Sequence, residues 1–213
     1  MDAGLLRWGR AAGARQLRAG PAWPRSVPVL WLFTDRRRLP DPLGAAARLP
    51  RGLAGVVFRD DDDPERAALG QALARLCRAR RLALVVAGDA RLAAALGAGL
   101  HLRGGRRPGL GGCGPARPNR PRHGDGARLV TSSAHTPADL RRARRAGADL
   151  VFLSPAFPTA THPGAPALGA VRWAALAGRA RLPVAALGGI AGSAPRRLPR
   201  RICRAIGAIG ALA

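Results

Sequence analysis

From residue 28 onward, short uninterrupted apolar runs alternate with longer stretches where apolar positions recur every three or four residues. The runs are 28–35 (PVLWLFTD), 53–60 (LAGVVFRD), 82–89 (LALVVAGD), 99–102 (GLHL), 127–133 (ARLVTSS), 148–155 (ADLVFLSP), 182–189 (LPVAALGG) and 203–212 (CRAIGAIGAL). Runs this short, apolar at consecutive positions, suit parallel strands that are covered on both faces. Between them, residues 64–80 open on Pro64 after Asp63 and carry Ala68, Leu69, Ala72, Leu73 and Leu76 at helical spacing. Residues 137–146 follow Thr136, a good N-cap, and stop at Gly147, a good C-cap. Residues 89–97, 169–179 and 193–201 carry weaker helical patterns. Eight strand–helix repeats predict an α/β fold, a (β/α)8 TIM barrel, with a doubly wound open sheet as the alternative.

Two stretches depart from the repeat. Residues 103–126 are dense in Gly, Pro and Arg and cannot hold a helix, so the fourth peripheral helix is expected to be replaced by a loop. The sequence ends directly after the eighth run, so the final helix is expected to be missing and the barrel compact. Residues 1–27 are Arg-rich, with Asp2 as their one acid. They are expected to form a flexible extension ahead of a barrel spanning 28–213.

Composition adds limits. The 213 residues suit one domain with a full core, and no run reaches the roughly 18 apolar residues of a membrane span, so a soluble protein without a membrane partner is expected. The net charge of +24, from 36 basic and 12 acidic residues, raises nucleic acid as a partner. Every basic residue is Arg, however, the arginines are spread along the chain, and aromatics make up only 4%. That pattern favours small anionic ligands and no specific nucleic acid. Cys77, Cys113 and Cys203 are odd in number, far apart and without a C-x-x-C pair. They suggest neither a disulfide framework nor a zinc site, fit a reducing cytoplasm, and are expected as small buried hydrophobes.

In a barrel, chemistry gathers where strands end. The polar residues and glycines at those ends are Asp35, Arg59, Asp60, Asp89, His101, Ser133, His135, Thr159, Thr161, His162, Gly188 and Gly189. The glycines of 187–190 (LGGI) and 208–210 (AIG) would let a phosphate approach bare backbone N–H groups, a tight turn being the competing reason for them. His135 is the best general acid/base candidate, with capping of the following helix as its competing role. His101 reads as a packed, hydrogen-bonded histidine. The acidic run 60–63 reads as a solvated loop that favours the N-terminus of the next helix, ahead of a metal site.

The stretches GADLVFLSPAFPTATHPG and PVAALGGI, with SSAH upstream, together resemble the thiamine phosphate synthase and TenI family of (β/α)8 barrels, from residue 28 to about 212. The resemblance implies thiazole phosphate at the glycine and threonine loops, beside a pyrimidine pyrophosphate held with Mg2+. Their condensation gives thiamine phosphate and pyrophosphate, whereas TenI-type relatives isomerise the thiazole with a histidine. Arg59 matches the arginine of the family's Q-x-R-x-K strand, whose glutamine and lysine places are Val57 and Asp61 here. Asp89 matches the Mg2+-binding aspartate of an N-D pair whose asparagine place is Gly88. His101 matches the start of H-L-G-Q-x-D, where Gly104 stands for glutamine and Arg106 for the second metal aspartate. Ser133 and His135 match S-x-H and are the implied catalytic pair. Thr159 and Thr161 match the phosphate-gripping threonines, His162 stands where lysine is usual, and Gly188, Gly189 and Gly210 match the phosphate backbone site. Three functions stay open: the synthase, a tautomerase working through His135, and a non-catalytic phosphate-binding regulatory barrel. A homo-oligomer is compatible with the sequence.

Overall fold

Eight strands form on the eight apolar runs. In the computed structural model, which describes residues 1–18, 27–61, 63–106, 128–159, 164 and 166–213, they are β1 (Leu30–Phe33), β2 (Ala54–Phe58), β3 (Ala83–Ala87), β4 (Gly99–Leu102), β5 (Val130–Ala134), β6 (Leu150–Leu153), β7 (Val184–Leu187) and β8 (Cys203–Ala208). All pair in parallel with their sequence neighbours, and β8 pairs with β1 through Leu30 opposite Ile206, which closes the barrel. The open-sheet alternative is thereby excluded.

Alternation explains why each strand is apolar throughout. Trp31, Phe33, Val57, Val85, Leu150, Phe152, Ala185 and Ala205 pack together inside the barrel. Leu30, Leu32, Val56, Phe58, Val86, Val151, Leu153 and Ile206 pack outward under the helices. The interior is fitted by pairing large with small. A methyl on Gly55 would stand 2.7 Å from the Trp31 ring, and one on Gly207 would stand 2.7 Å from Phe33. Phe152 meets Phe33 and Trp31 edge to face at 4.8 and 5.6 Å, so bulk from β1 and β6 fills the space that glycines on β2 and β8 leave.

Among the described residues six helices surround the strands: α1 (Ala3–Arg18), α2 (Pro42–Arg48), α3 (Arg66–Arg80), α4 (Ala90–Ala95), α5 (Pro137–Arg145) and α6 (Gly169–Gly178). Helix α2 is an addition to the predicted set. Its signal is Asp41-Pro42: Asp41 accepts a hydrogen bond from Gly44 N at 2.8 Å and Pro42 fits the first turn. Residues 193–201, expected as a helix, form only a 3-10 turn at Ala194–Arg197. Pro199 has no N–H to donate and blocks its continuation. Between β4 and β5 the predicted loop 103–126 is described only as far as residue 106, where Arg103 and Arg106 make an isolated bridge. The rest of that loop, including Cys113 and His123, lies outside the described residues.

The N-terminal segment departs most from expectation. Instead of a flexible extension, residues 3–18 form α1, with Leu5, Trp8 and Ala12 buried. It packs on β8 and on the 3-10 turn Ala194–Arg197. Gly9 lies so close to β1 that a methyl there would meet Leu30 at 2.5 Å. Asp2 caps the helix through Gly4 N and Leu5 N, accepts from Gly192 N at 2.6 Å, and donates its own N–H to Ala211 O. After β8 comes a single 3-10 turn, Gly210–Leu212. Helix α1 thus covers the β8–β1 seam that a helix after β8 would cover. Among the described residues no helix is long and apolar enough to cross a membrane.

Candidate active site

A cavity of about 1610 Å³ opens at the C-terminal ends of the strands. Phe33 and His101 contribute to its floor. His101 is 3% exposed, and its Nδ1 lies 2.8 Å from Thr131 Oγ1. Burial, and secondarily the nearby Arg59 charge, push its pKa down to about 3, so the ring stays neutral. It is a packed, hydrogen-bonded group, as its surroundings in the sequence suggest.

On one side stand β5 and β6. Thr136 and Asp139 form a capping box that starts α5, and Asp139 also accepts from His135 N at 2.9 Å and pairs with Arg142. These contacts fix the backbone of His135. Its side chain is fixed by β6: Nδ1 lies 2.9 Å from Ser154 O and 3.3 Å from Ser154 Oγ. A carbonyl can only accept, so Nδ1 carries a proton toward Ser154 O, and Nε2 is the nitrogen that the exposed ring leaves for a ligand. Ser133 lines the cavity too, and its Oγ accepts from Gly104 N at 3.1 Å, which leaves the hydroxyl proton available.

The second wall is built by the ends of β7 and β8. Gly188 and Gly189 have φ of +86° and +66°. A methyl on Gly189 would lie 2.4 Å from Pro158 O, and one on Gly188 would lie 3.0 Å from Pro155 Cα. Ala156 N and Phe157 N donate to Leu187 O and Gly188 O at 2.8 and 3.1 Å. The two glycines are therefore required by the loop after β6, which docks on them, whatever ligand binds beside them. Gly210 differs: nothing stands within 4 Å of where its methyl would be. It opens the last 3-10 turn, in which Leu212 N donates to Ile209 O and Ala213 N to Gly210 O. Thr159 also lines the cavity. Thr161 and His162 lie outside the described residues.

The third wall comes from β1, β2 and β4. Arg59 donates through Nε to Thr34 O and through Nη2 to Asp35, each at 3.0 Å, with its guanidinium over the Phe33 ring. Burial and the charge of Arg103 lower its pKa against the pull of Asp35 and Asp60. Arg103 pairs with Asp61, Asp61 with Arg66 at 3.0 Å, and Arg66 with Asp89 at 3.4 Å. Arg103 carries no role in the sequence reading, yet it follows His101 by two residues, and period-two spacing places it on the same side of the strand's extension. Cys77 and Cys203 are buried thiols pushed up to about 12, which leaves them as packing groups.

The profile described as thiamine monophosphate synthase matches residues 32–212, from β1 to the final turn. The chain belongs to this family. A thiamine-phosphate synthase of Thiobacillus denitrificans is 37% identical over 153 residues, 68% of this chain and 66% of that protein. The thiamine biosynthesis bifunctional protein ThiED of Geobacter sulfurreducens is 32% identical over 165 residues, 76% of this chain but 32% of that protein. The chain thus spans about a third of one relative's length and just under two thirds of the other's. The thiamine phosphate pyrophosphorylase from Pyrococcus furiosus has the same fold, with a TM-score of 0.66 and 22% identity over 87% of both chains.

Mg2+, which the thiamine monophosphate synthase family implies, does not fit the residues present. Asp89, its expected ligand, caps α4 by accepting from Leu92 N at 2.9 Å and faces Arg66. It is not among the residues lining the cavity. The second carboxylate place holds Arg106, and among the described residues no three His, Cys, Asp or Glu side chains cluster to hold a metal. A hard dication needs several oxygen ligands, and with Asp61 and Asp89 paired to arginine the buried Asp60 offers only one carboxylate.

Proposed function

We propose that the chain joins thiazole phosphate to hydroxymethylpyrimidine pyrophosphate, giving thiamine phosphate and pyrophosphate. One observation carries this reading: a single cavity has a glycine wall suited to one phosphate and, apart from it, an arginine wall suited to a second anion. Its volume leaves room for two ring ligands side by side. As the bond between the rings forms, the bond from the pyrimidine methylene to pyrophosphate breaks and negative charge grows on the leaving group. Fixed guanidinium donors at that place stabilise it more in the transition state than in the ground state. Ser133 would donate its hydroxyl proton to a ligand oxygen, and the glycine wall would hold the thiazole by its phosphate. The test is a turnover assay of the full chain with both substrates. Formation of thiamine phosphate is expected, and none with or without Mg2+ would remove the synthase reading.

The hydrogen bonding of His135 favours a second activity at the same site. A histidine held through Nδ1 with Nε2 available is built to move a proton, and ring isomerisation of thiazole phosphate needs that step. Solvent deuterium should then enter the thiazole phosphate. His135→Ala should slow this exchange by about 10²–10⁴-fold, the usual contribution of a positioned acid/base. Unchanged exchange in the variant would leave His135 as a structural group.

A further inference from the structure

The arginine wall is wired differently from a metal site. Four charged groups from β2, α3, β3 and β4 alternate in sign along it: Arg103, Asp61, Arg66 and Asp89. The Asp61 and Asp89 carboxylates are each already held by a guanidinium, and Asp60, buried beside them, is a single carboxylate with no hydrogen-bond partner among the described residues. The chain's own cations face the cavity instead. Arg103 and Arg59 both line it, and their like charges lie close enough for Arg103 to lower the pKa of Arg59. Arg103 lies against Gly88: a methyl there would sit 3.3 Å from its Cζ and Nε, so the missing side chain makes its berth. Its guanidinium has five N–H donors, and the contact with Asp61 uses Nη2. Arg59 keeps Nη1 uncommitted among the described contacts.

We propose that this wall is a metal-independent site for a phosphoryl anion, in which Arg103, anchored by Asp61 over Gly88, occupies with Arg59 the place of a divalent cation. The inference rests on the reading of the cavity as a site for phosphorylated ligands. Two guanidinium groups offer bidentate, charge-assisted hydrogen bonds to phosphate oxygens, and their charge does not depend on a metal supply. Asp61, which also lines the cavity, fixes where Arg103 stands.

The experiment is titration calorimetry of the full chain with inorganic pyrophosphate, in excess EDTA and in millimolar Mg2+. Binding in EDTA within about twofold of that in Mg2+ is expected. Arg103→Ala should weaken it about tenfold or more, the worth of a charge-assisted contact, and Arg103→Lys should fall between. Asp89→Asn keeps a capping side chain but removes the carboxylate that a metal would need, and should leave the affinities in the two buffers within the same twofold of each other. Binding that requires Mg2+, a loss in Asp89→Asn confined to the Mg2+ buffer, or indifference to Arg103 would each overturn the proposal. Thiazole phosphate is titrated in parallel. If it fails to bind while pyrophosphate binds in EDTA, the substrate reading falls and this site stands. If it binds while pyrophosphate does so only with Mg2+, the proposal alone falls.

Discussion

The glycine wall and the arginine wall of one cavity are held by different physics. The glycine wall is fixed by backbone. Gly188 and Gly189 take conformations that other residues resist, and the loop after β6 closes on them through main-chain hydrogen bonds. The arginine wall is fixed by charged side chains reaching across four elements, with Arg103 more than half exposed. A backbone wall tolerates little substitution, because sterics punish nearly every replacement. A side-chain wall can exchange its charges one for another and still hold an anion. That difference offers a physical reason why the resemblance read from the sequence is fuller after β7 and β8 than after β2, β3 and β4.

The strongest way to break this contrast is at the glycines. Gly189→Ala should destabilise the fold by about 2–4 kcal/mol, combining left-handed strain with a clash against Pro158 O. Gly210→Ala, with open space around it, should change stability by no more than about 0.5 kcal/mol but weaken thiazole phosphate binding, since its methyl would enter the cavity. Urea denaturation and calorimetry on both variants decide the matter; equal stability losses would mean that the wall is not built as described. The next effect lies on the other wall. Arg66→Ala removes the cation shared by Asp61 and Asp89, and should cost about 1–2 kcal/mol as those partly buried carboxylates lose their partner. It should also give the protein weak Mn2+ binding, visible by electron paramagnetic resonance, that the unaltered chain lacks. A variant that binds no ion would show that something other than Arg66 keeps cations away.

Much of the barrel was legible because its signal is local. Eight apolar runs bounded by Gly, Pro and charge became eight parallel strands, and Thr136 and Pro137 marked the start of α5. Helix α1 was illegible for a physical reason: its stability comes from Leu5 and Trp8 burying against β1, β8 and the turn beside them, contacts that no local pattern announces in an Arg-rich segment. In the site, His135, Ser133, Arg59 and the glycines could be named from strand ends, since the topology brings those ends together. Asp89 could not be placed correctly, because its partners Leu92 N and Arg66 decide whether it faces the cavity. Arg103 went unnamed for the converse reason: it gains meaning only from Gly88 and Asp61, distant in sequence.

The smallest effect tests how firmly His135, the proposed acid/base group, is held. The Asp139 carboxyl is buried, which alone would raise its pKa, but hydrogen bonds from His135 N and Thr136 and the charge of Arg142 hold it below the usual carboxylate range. A depressed pKa means that the unfolded chain takes up the proton first. The contribution of Asp139 to stability is therefore complete above about pH 4, the unfolded value, and is lost as pH falls through the folded one. Asp139→Asn should cost about 1 kcal/mol at neutral pH, typical of a weakened capping box. It should also flatten the fall of the melting temperature below pH 4. Because Asp139 holds the backbone of His135 while Ser154 holds its ring, deuterium exchange should drop far less in Asp139→Asn than in His135→Ala. A melting curve with the same acid slope in both proteins would assign that slope to other carboxylates and leave the cap without an electrostatic role.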